Sequence, residues 1–210
     1  MPDAKPDARP DAMPDAAVDL VRFRKTGDGV PASPLGTPMG NQREGLQCPA
    51  DELPIGAAFD VTDNVVAAHG QRVVTSLHVR CGKVELVDGA PRTTPTARIS
   101  TLANACATYA PVTTSAEALC PAGTVLLGLT GNHGTGSMFN NVSLQCAALV
   151  GGVVTGTLTA VAVTGTGGDT NLPDVTQCVP PRALGALKSY VDCGADAVLA
   201  SCFAITSTRL

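Results

Sequence analysis

Alternating apolar and polar positions recur in three places in the chain, and each time the alternation ends in a cysteine. The three segments are LHVRC at 77–81, VSLQC at 142–146 and VLASC at 198–202. In the first segment, Leu77 and Val79 would face a core. His78 and Arg80 would then face water. Period-two patterning of this kind is typical of a β-strand with one buried face.

A second cysteine precedes each of these strands and opens a turn that contains proline. A glycine follows each opening cysteine, and the pairs are Cys48 and Gly56, Cys120 and Gly128, and Cys178 and Gly185. The chain therefore holds three similar units, at about 48–81, 120–146 and 178–202. If both cysteines of a unit lie on one face of neighbouring strands, they meet disulfide geometry. We predict the bonds Cys48–Cys81, Cys120–Cys146 and Cys178–Cys202.

Cys106 and Cys193 are left over, and they can form a fourth bridge between the first and third units. Zinc is the rival explanation for the cysteines. The chain has no pair of cysteines separated by two residues, so its spacings are not typical of a zinc site. We expect no metal and no cofactor.

Two further segments have the pattern of hairpins. Residues 82–92 turn at Asp88-Gly89, and residues 147–168 turn at Gly151-Gly152 before a long run of Thr and Val. Helix signals are nearly absent. The sequence therefore predicts an all-β fold of about ten to fourteen short strands.

The N-terminal segment has a different pattern. In MPDAKPDARPDAMPDA a proline recurs at every fourth residue, which predicts an extended, solvated spacer. Glycine and proline then punctuate residues 21–47, which predicts a loop with at most a short strand at Val18–Phe23. We therefore divide the chain into a disordered, loop-like arm at 1–43 and an all-β, disulfide-rich domain at 44–210.

Composition adds a reason for the disulfides. Aromatic residues make up only 3% of the chain and Trp is absent. Aromatic side chains supply much of the buried area in ordinary domains, so the core is expected to be thin. A disulfide closing a loop of this size adds about 3–4 kcal/mol, which compensates for a thin core.

Charge and cysteine content bear on partners and compartment. The net charge is −4 and the basic residues are not clustered, which excludes nucleic acid as a partner. No apolar stretch is long enough for a membrane span, and residues 1–20 lack the apolar centre of a signal peptide. An even number of cysteines at recurring spacings nevertheless predicts an oxidising compartment. We expect an extracellular or cell-surface protein.

The segments CPAGTVLLGL (120–129) and NNVSLQC (140–146) resemble the vitelline membrane outer layer protein family. In the first unit, the opening CP, Gly56 and TSLHVRC are similar, and in the third CVPP and AVLASC. The resemblance implies a β-prism of three antiparallel Greek-key units and a secreted structural or glycan-associated protein. The missing Trp and different loops depart from the family pattern, and a β-sandwich is the alternative. The Pro-Asp-Ala run resembles the linkers of bacterial surface lipoproteins.

If three related units surround an axis, their loops gather at one end and can form a shared site for a ligand. His69 and His133 lie in the loops of the first two units. The few loop aromatic residues are the other candidates for sugar contacts. The complete candidate ligand-binding set is Asp63, Asn64, His69, Asn132, His133, Phe139, Tyr190 and Asp192.

No catalytic motif is present. The chain lacks a G-x-S-x-G nucleophile turn, and GNHGTG at 131–136 lacks the lysine of a phosphate loop. We predict a secreted or surface-tethered module that binds an extracellular glycan or a surface protein. The alternative is a self-associating subunit of an extracellular coat or filament, joined through edge strands. A carbohydrate-active enzyme is the least favoured hypothesis.

Overall fold

In the computed structural model of the chain, every regular element of the described residues is a β-strand. The described residues are 18–38, 41–42, 45–62, 72–100, 112–133, 139–166, 172–191 and 195–210. The strands are β1 (Leu20–Gly36), β2 (Asn41–Gln42), β3 (Leu46–Gln47), β4 (Leu53–Thr62), β5 (Val73–Val87), β6 (Ala90–Ser100), β7 (Thr113–Thr114), β8 (Ala118–Leu119), β9 (Thr124–His133), β10 (Phe139–Val150), β11 (Val153–Ala162), β12 (Leu172–Gln177), β13 (Ala183–Val191) and β14 (Ala195–Arg209).

The strands form three antiparallel units with the same order. The first runs β6-β5-β4 with β7 and β8 beyond, the second β11-β10-β9-β12, and the third β1-β14-β13 with β2 and β3 beyond. We call the four positions the outer strand (β6, β11, β1), the closing strand (β5, β10, β14), the inner strand (β4, β9, β13) and the return strand (β7 with β8, β12, β2 with β3). The three inner strands contact one another. The fold is therefore an all-β prism of three pseudo-repeated units.

The third unit is assembled from both ends of the chain. Its closing and inner strands are the last two strands, while its outer and return strands come from residues 20–47. The start of β1 also pairs with β5, where Leu20 lies opposite Val87 and Phe23 opposite Val84. This pairing joins the first and third units into one ten-stranded sheet.

The prediction of a loop over residues 21–47, with a domain start at 44, is therefore wrong for the described part of that range. The pairing of β1 with β14 shifts register twice, between Thr26 and Val30 and between Pro31 and Pro34. Most of the glycines and prolines of β1 lie at or beside these two shifts. An outer strand tolerates such breaks, since one of its edges needs no backbone partner. Phe23 and Leu35 of β1 are fully buried, so this strand is part of the core. Residues 1–17 lie outside the described residues.

Polar contacts at its start and in the interior hold β1 in place. At the chain ends, Leu210 N–H donates to Leu20 O at 2.8 Å, and Arg209 Nε lies 2.7 Å from Asp19 Oδ1. Inside, the amine of the buried Lys25 donates to the carbonyl oxygens of Cys48 and Pro49. Burial lowers the pKa of Lys25, and the nearby carboxylates of Glu52 and Asp51 partly oppose that shift.

Each unit has a disulfide between its opening turn and its closing strand. The bonds are Cys48–Cys81, Cys120–Cys146 and Cys178–Cys202, with Cα–Cα distances of 5.6, 5.6 and 5.4 Å. These are the three pairs that the unit pattern predicts. Cys106 and Cys193 lie outside the described residues, so their pairing stays a prediction.

The unit glycines have a common steric role in the first two units. Gly56 pairs with Leu119, and Gly128 with Gln177, the residues before the next opening cysteines. A Cβ on either glycine would collide with a carbonyl oxygen of the return strand, at Ala118 or Thr176. In the third unit the corresponding position, opposite Gln47, holds Ala186.

The unit pattern predicts that Gly185 is equivalent to Gly56 and Gly128. In the structure Ala186 holds that position, and Gly185 lies one residue before it. It sits at the register shift between Leu184 and Ala186, and the ring of Phe203 covers it so closely that a Cβ would collide with it.

Both predicted hairpin turns are confirmed. Asp88 and Gly89 have φ values of 51° and 78°, and Gly151 and Gly152 have 58° and 84°. Two consecutive left-handed residues are typical of the tight turn that matches strand twist. These turns join the closing and outer strands of the first two units.

Candidate functional site

The two ends of the prism differ in how the chain reverses. At one end, which we call the turn end, lie both two-residue hairpins and the disulfide-linked opening turns. At the other, the loop end, inner strands stop and closing strands start; the connections there are 63–72, 134–138 and 192–194. The ten residues of β9 span about 33 Å, which separates the two ends.

Contacts between units hold the strand ends of the loop end together. Arg72, which precedes β5, donates from Nη1 to Gly165 O in the second unit at 3.2 Å. Asn140 Nδ2 donates to Arg72 O at 3.4 Å. Between the second and third units, Gly36 N–H donates to Asp174 Oδ2 at 2.8 Å. The strand ends of all three units therefore lie close together.

Four of the eight predicted site residues fall on described strand ends at the loop end. Asn132 and His133 finish β9, and Phe139 begins β10 directly opposite His133. Tyr190 lies next to last in β13, between Ala197 of β14 and Gln42 of β2. The side chains of Asn132 and Tyr190 are half-buried. Asp63, Asn64, His69 and Asp192 lie outside the described residues.

A hydroxyl that sequence reasoning missed fixes the second unit at this end. Thr166 is 1% exposed, and its Oγ1 accepts from Val142 N–H at 2.9 Å and donates to Val163 O at 2.8 Å. Its carbonyl oxygen accepts from Asn141 N–H at 2.6 Å. Asn141 has a φ of 49°, a conformation that Asn adopts more readily than most residues. The Asn-Asn pair was the only local signal for this bend.

Asn140 contributes an unsatisfied acceptor beside that bend. Its side chain is 3% exposed, and Nδ2 donates to Arg72 O as described above. Its Oδ1 has no hydrogen-bond partner within the part of the chain that the structure describes. Buried amide oxygens usually have a partner, so this atom is an exception among the described residues.

A row of polar side chains crosses the outer face of the first unit. Thr114 Oγ1 donates to Asp60 Oδ1 at 2.7 Å, and His78 Nδ1 lies 2.6 Å from Ser100 Oγ. His78 Nε2 is 3.0 Å from Asp60 Oδ1 but lacks hydrogen-bond geometry. His78 lies on the outer face as predicted, but it is less exposed to water than expected. These neighbours cover its side chain, which is only 13% exposed. The row links four strands, as cross-strand polar pairs do.

A shallow groove of about 350 Å³ lies at the turn end of the third unit, far from the predicted site. Its walls are mostly aliphatic and include Val30, Pro31 and Val179. Arg182 borders it, and Nη1 of that residue donates to Cys202 O at 3.3 Å. The groove therefore offers few free polar groups to orient a ligand.

The described residues lack two further features that bear on function. They contain no group of three or more His, Cys, Asp and Glu side chains placed to hold a metal ion. They also contain no helix long and apolar enough to cross a membrane.

No protein-family model and no curated protein matches the chain, so the resemblance to vitelline membrane outer layer proteins stays a prediction. Among solved structures, the chain is similar to Calsepa lectin in complex with bisected glycan (TM-score 0.47, 10% identity, covering 84% of this chain and 99% of that one). It is also similar to Calystegia sepium agglutinin (0.45, 8%, 88% and 99%) and to a Malaysian banana lectin (0.39, 9%, 84% and 98%). Identities this low assign no function to the chain.

Proposed function

We propose that this protein is a secreted or surface-tethered module that binds an extracellular glycan at its loop end. The main support for this proposal is the difference between the turn end and the loop end of the prism. Disulfides and two-residue turns fix the turn end, while the loop end gathers connections of different length and sequence. Binding residues often lie on loops that a rigid scaffold positions.

The side chains at the loop end favour a neutral, hydroxyl-rich ligand. The side chains of Asn132 and Tyr190 are half-buried, so each is partly accessible to a ligand. Amide and phenol groups both donate and accept hydrogen bonds, which suits sugar hydroxyls. A net charge of −4 disfavours polyanionic ligands.

The proposed location rests on chemistry and on resemblance. Three disulfides among the described residues support an oxidising compartment. Tethering to a bacterial surface is proposed because the Pro-Asp-Ala run at residues 1–16 resembles lipoprotein linkers. In this proposal the run holds the prism away from the envelope.

A glycan array probed with the folded, oxidised protein tests this function. We expect retention on a subset of neutral glycans. Asn132→Ala and Tyr190→Ala should each weaken that binding by about tenfold or more, because each removes a hydrogen-bonding group at the loop end. Val150→Ala is the matched control, since Val150 is 64% exposed at the turn end. An array without retained glycans, or loop-end variants that bind as well as the control, would overturn the proposal.

The second candidate function is a structural subunit of an extracellular coat or filament. One observation favours it, namely the exposed and uncharged outer strand of the second unit, β11. Size-exclusion chromatography and negative-stain microscopy separate the two functions, because only a structural subunit would form large or open assemblies.

A further inference from the structure

The three outer strands occupy equivalent positions but differ in how their edges are protected. β6 carries two prolines and two arginines: Pro91, Pro95, Arg92 and Arg98. β1 carries three basic residues and two prolines, namely Arg22, Arg24, Lys25, Pro31 and Pro34, and its start is paired on both sides. Charges and prolines on an edge strand prevent it from pairing with another chain.

β11 has none of these protections. Its ten residues, VVTGTLTAVA, include no charge and no proline, and Val153 and Leu158 are 54% and 40% exposed. One edge of β11 pairs with β10. No described strand pairs with the other edge of β11. β8 lies near β11 but does not pair with it.

A bulge limits the regular part of this edge. Val154 pairs with Leu149 and Leu158 with Ala147, so residues 155–157 stand outside regular pairing. From Leu158 to Ala162 the pairing with β10 is continuous. Five consecutive residues therefore keep strand geometry while their other edge is open.

We propose that Leu158–Ala162 pairs with the same segment of a second copy of this chain. The two strands run antiparallel about a twofold axis, with Ala160 opposite Ala160. Leu158 then lies opposite Ala162, and no charge opposes a like charge, because the segment has none. The result is an eight-stranded sheet shared by two copies. This inference goes beyond the proposed function and does not depend on it.

The contact is small, so we expect a weak, reversible dimer. A charge at Ala160 tests the register directly, since the twofold axis would place it against itself. Sedimentation velocity over a range of concentrations should show dimerisation of the unmodified protein. Ala160→Lys and Ala160→Glu should each weaken it by about tenfold or more, and an equimolar mixture of the two should restore it.

Ala97→Lys is the matched control, because Ala97 is an exposed alanine on the outer strand β6. It should leave dimerisation unchanged. Circular dichroism and thermal unfolding establish that each variant is folded, and Ala160 is exposed, so its substitutions should be tolerated. A protein that sediments as a monomer at every concentration overturns the inference. So does a dimer that Ala160→Lys leaves intact, or one that Ala97→Lys disrupts equally.

Discussion

Nζ of Lys25 donates a hydrogen bond to the carbonyl oxygen of Pro49 at 3.0 Å, which ties the outer strand of the third unit to the opening turn of the first. The same amine donates to Cys48 O. The contact joins residues from two different units around a buried charge. The packing of β1 against the first unit therefore depends on the protonation state of Lys25.

Stability should rise with pH in the alkaline range because of Lys25. Burial lowers its folded-state pKa below 10.5, whereas the unfolded chain keeps the ordinary value. Between these two pKa values the unfolded state binds more protons, so the free energy of unfolding increases with pH there. Urea unfolding at successive pH values up to 10.5 measures this slope.

Lys25→Met should flatten that slope, because methionine has no titrating group. An unaltered slope in Lys25→Met would show that another group is responsible.

Phe23→Ala should destabilise the protein by about 3–5 kcal/mol, because it empties a core position that β1 fills. Arg24→Ala, at the exposed neighbouring position, should change stability by less than about 0.5 kcal/mol. Chemical denaturation of both variants under oxidising conditions provides the comparison. If the two variants were equally stable, β1 could not be part of the core.

Gly128→Ala should destabilise the second unit by about 1–3 kcal/mol or more, because the added Cβ meets the backbone of β12 at Thr176. Gly156 is the control, since a Cβ there meets nothing within 4 Å. Thermal unfolding should therefore show a clear loss for Gly128→Ala and little change for Gly156→Ala. Equal melting temperatures would contradict the close approach of the return strand.

The features that the sequence predicted are those with a local signal. Cys81 and Cys146 end segments of period-two alternation within β5 and β10, and Asp88-Gly89 is a turn dipeptide, so each could be identified within a few residues. β1 could not be found in this way. Its glycines and prolines have the pattern of a loop, and it is a strand because it pairs with β14, almost a whole chain length away, and at its start with β5.

The candidate site was predictable in position and not in detail. Strand order alone puts Asn132 and Tyr190 at one end of the prism, since both precede connections between inner and closing strands. No local pattern pairs Thr166 with Val142, because the hydroxyl belongs to a connection and the N–H to a strand. Such contacts depend on how the chain returns to the sheet.

Thr166→Val should destabilise the protein by about 1–3 kcal/mol, because the buried Val142 N–H loses its acceptor. Thr166→Ser keeps the hydroxyl and should retain most of the stability. Amide hydrogen exchange gives the more specific measurement: protection of Val142 should fall in Thr166→Val and persist in Thr166→Ser. Equal protection of Val142 in the two variants would mean that the hydroxyl does not fix the bend.

We expect Cys106 and Cys193 to form a fourth disulfide. Cys106 belongs to the connection that leaves β6 at Ser100, and Cys193 to the connection that leaves β13 at Val191. Both strands end at the loop end, so a bond between these residues would link the first and third units there. Disulfides otherwise lie only at the turn end among the described residues, so this bond would restrict the end that we propose binds the ligand.

Mass spectrometry of the alkylated, non-reduced and digested protein should recover a peptide pair joined through these two cysteines. The three described bonds should appear in the same digest and serve as its internal control. Recovery of Cys106 and Cys193 as alkylated thiols, beside three intact bonds, would contradict the fourth bridge and leave the threefold arrangement standing. Alkylation of all eight cysteines in protein from its native host would contradict the oxidising compartment itself.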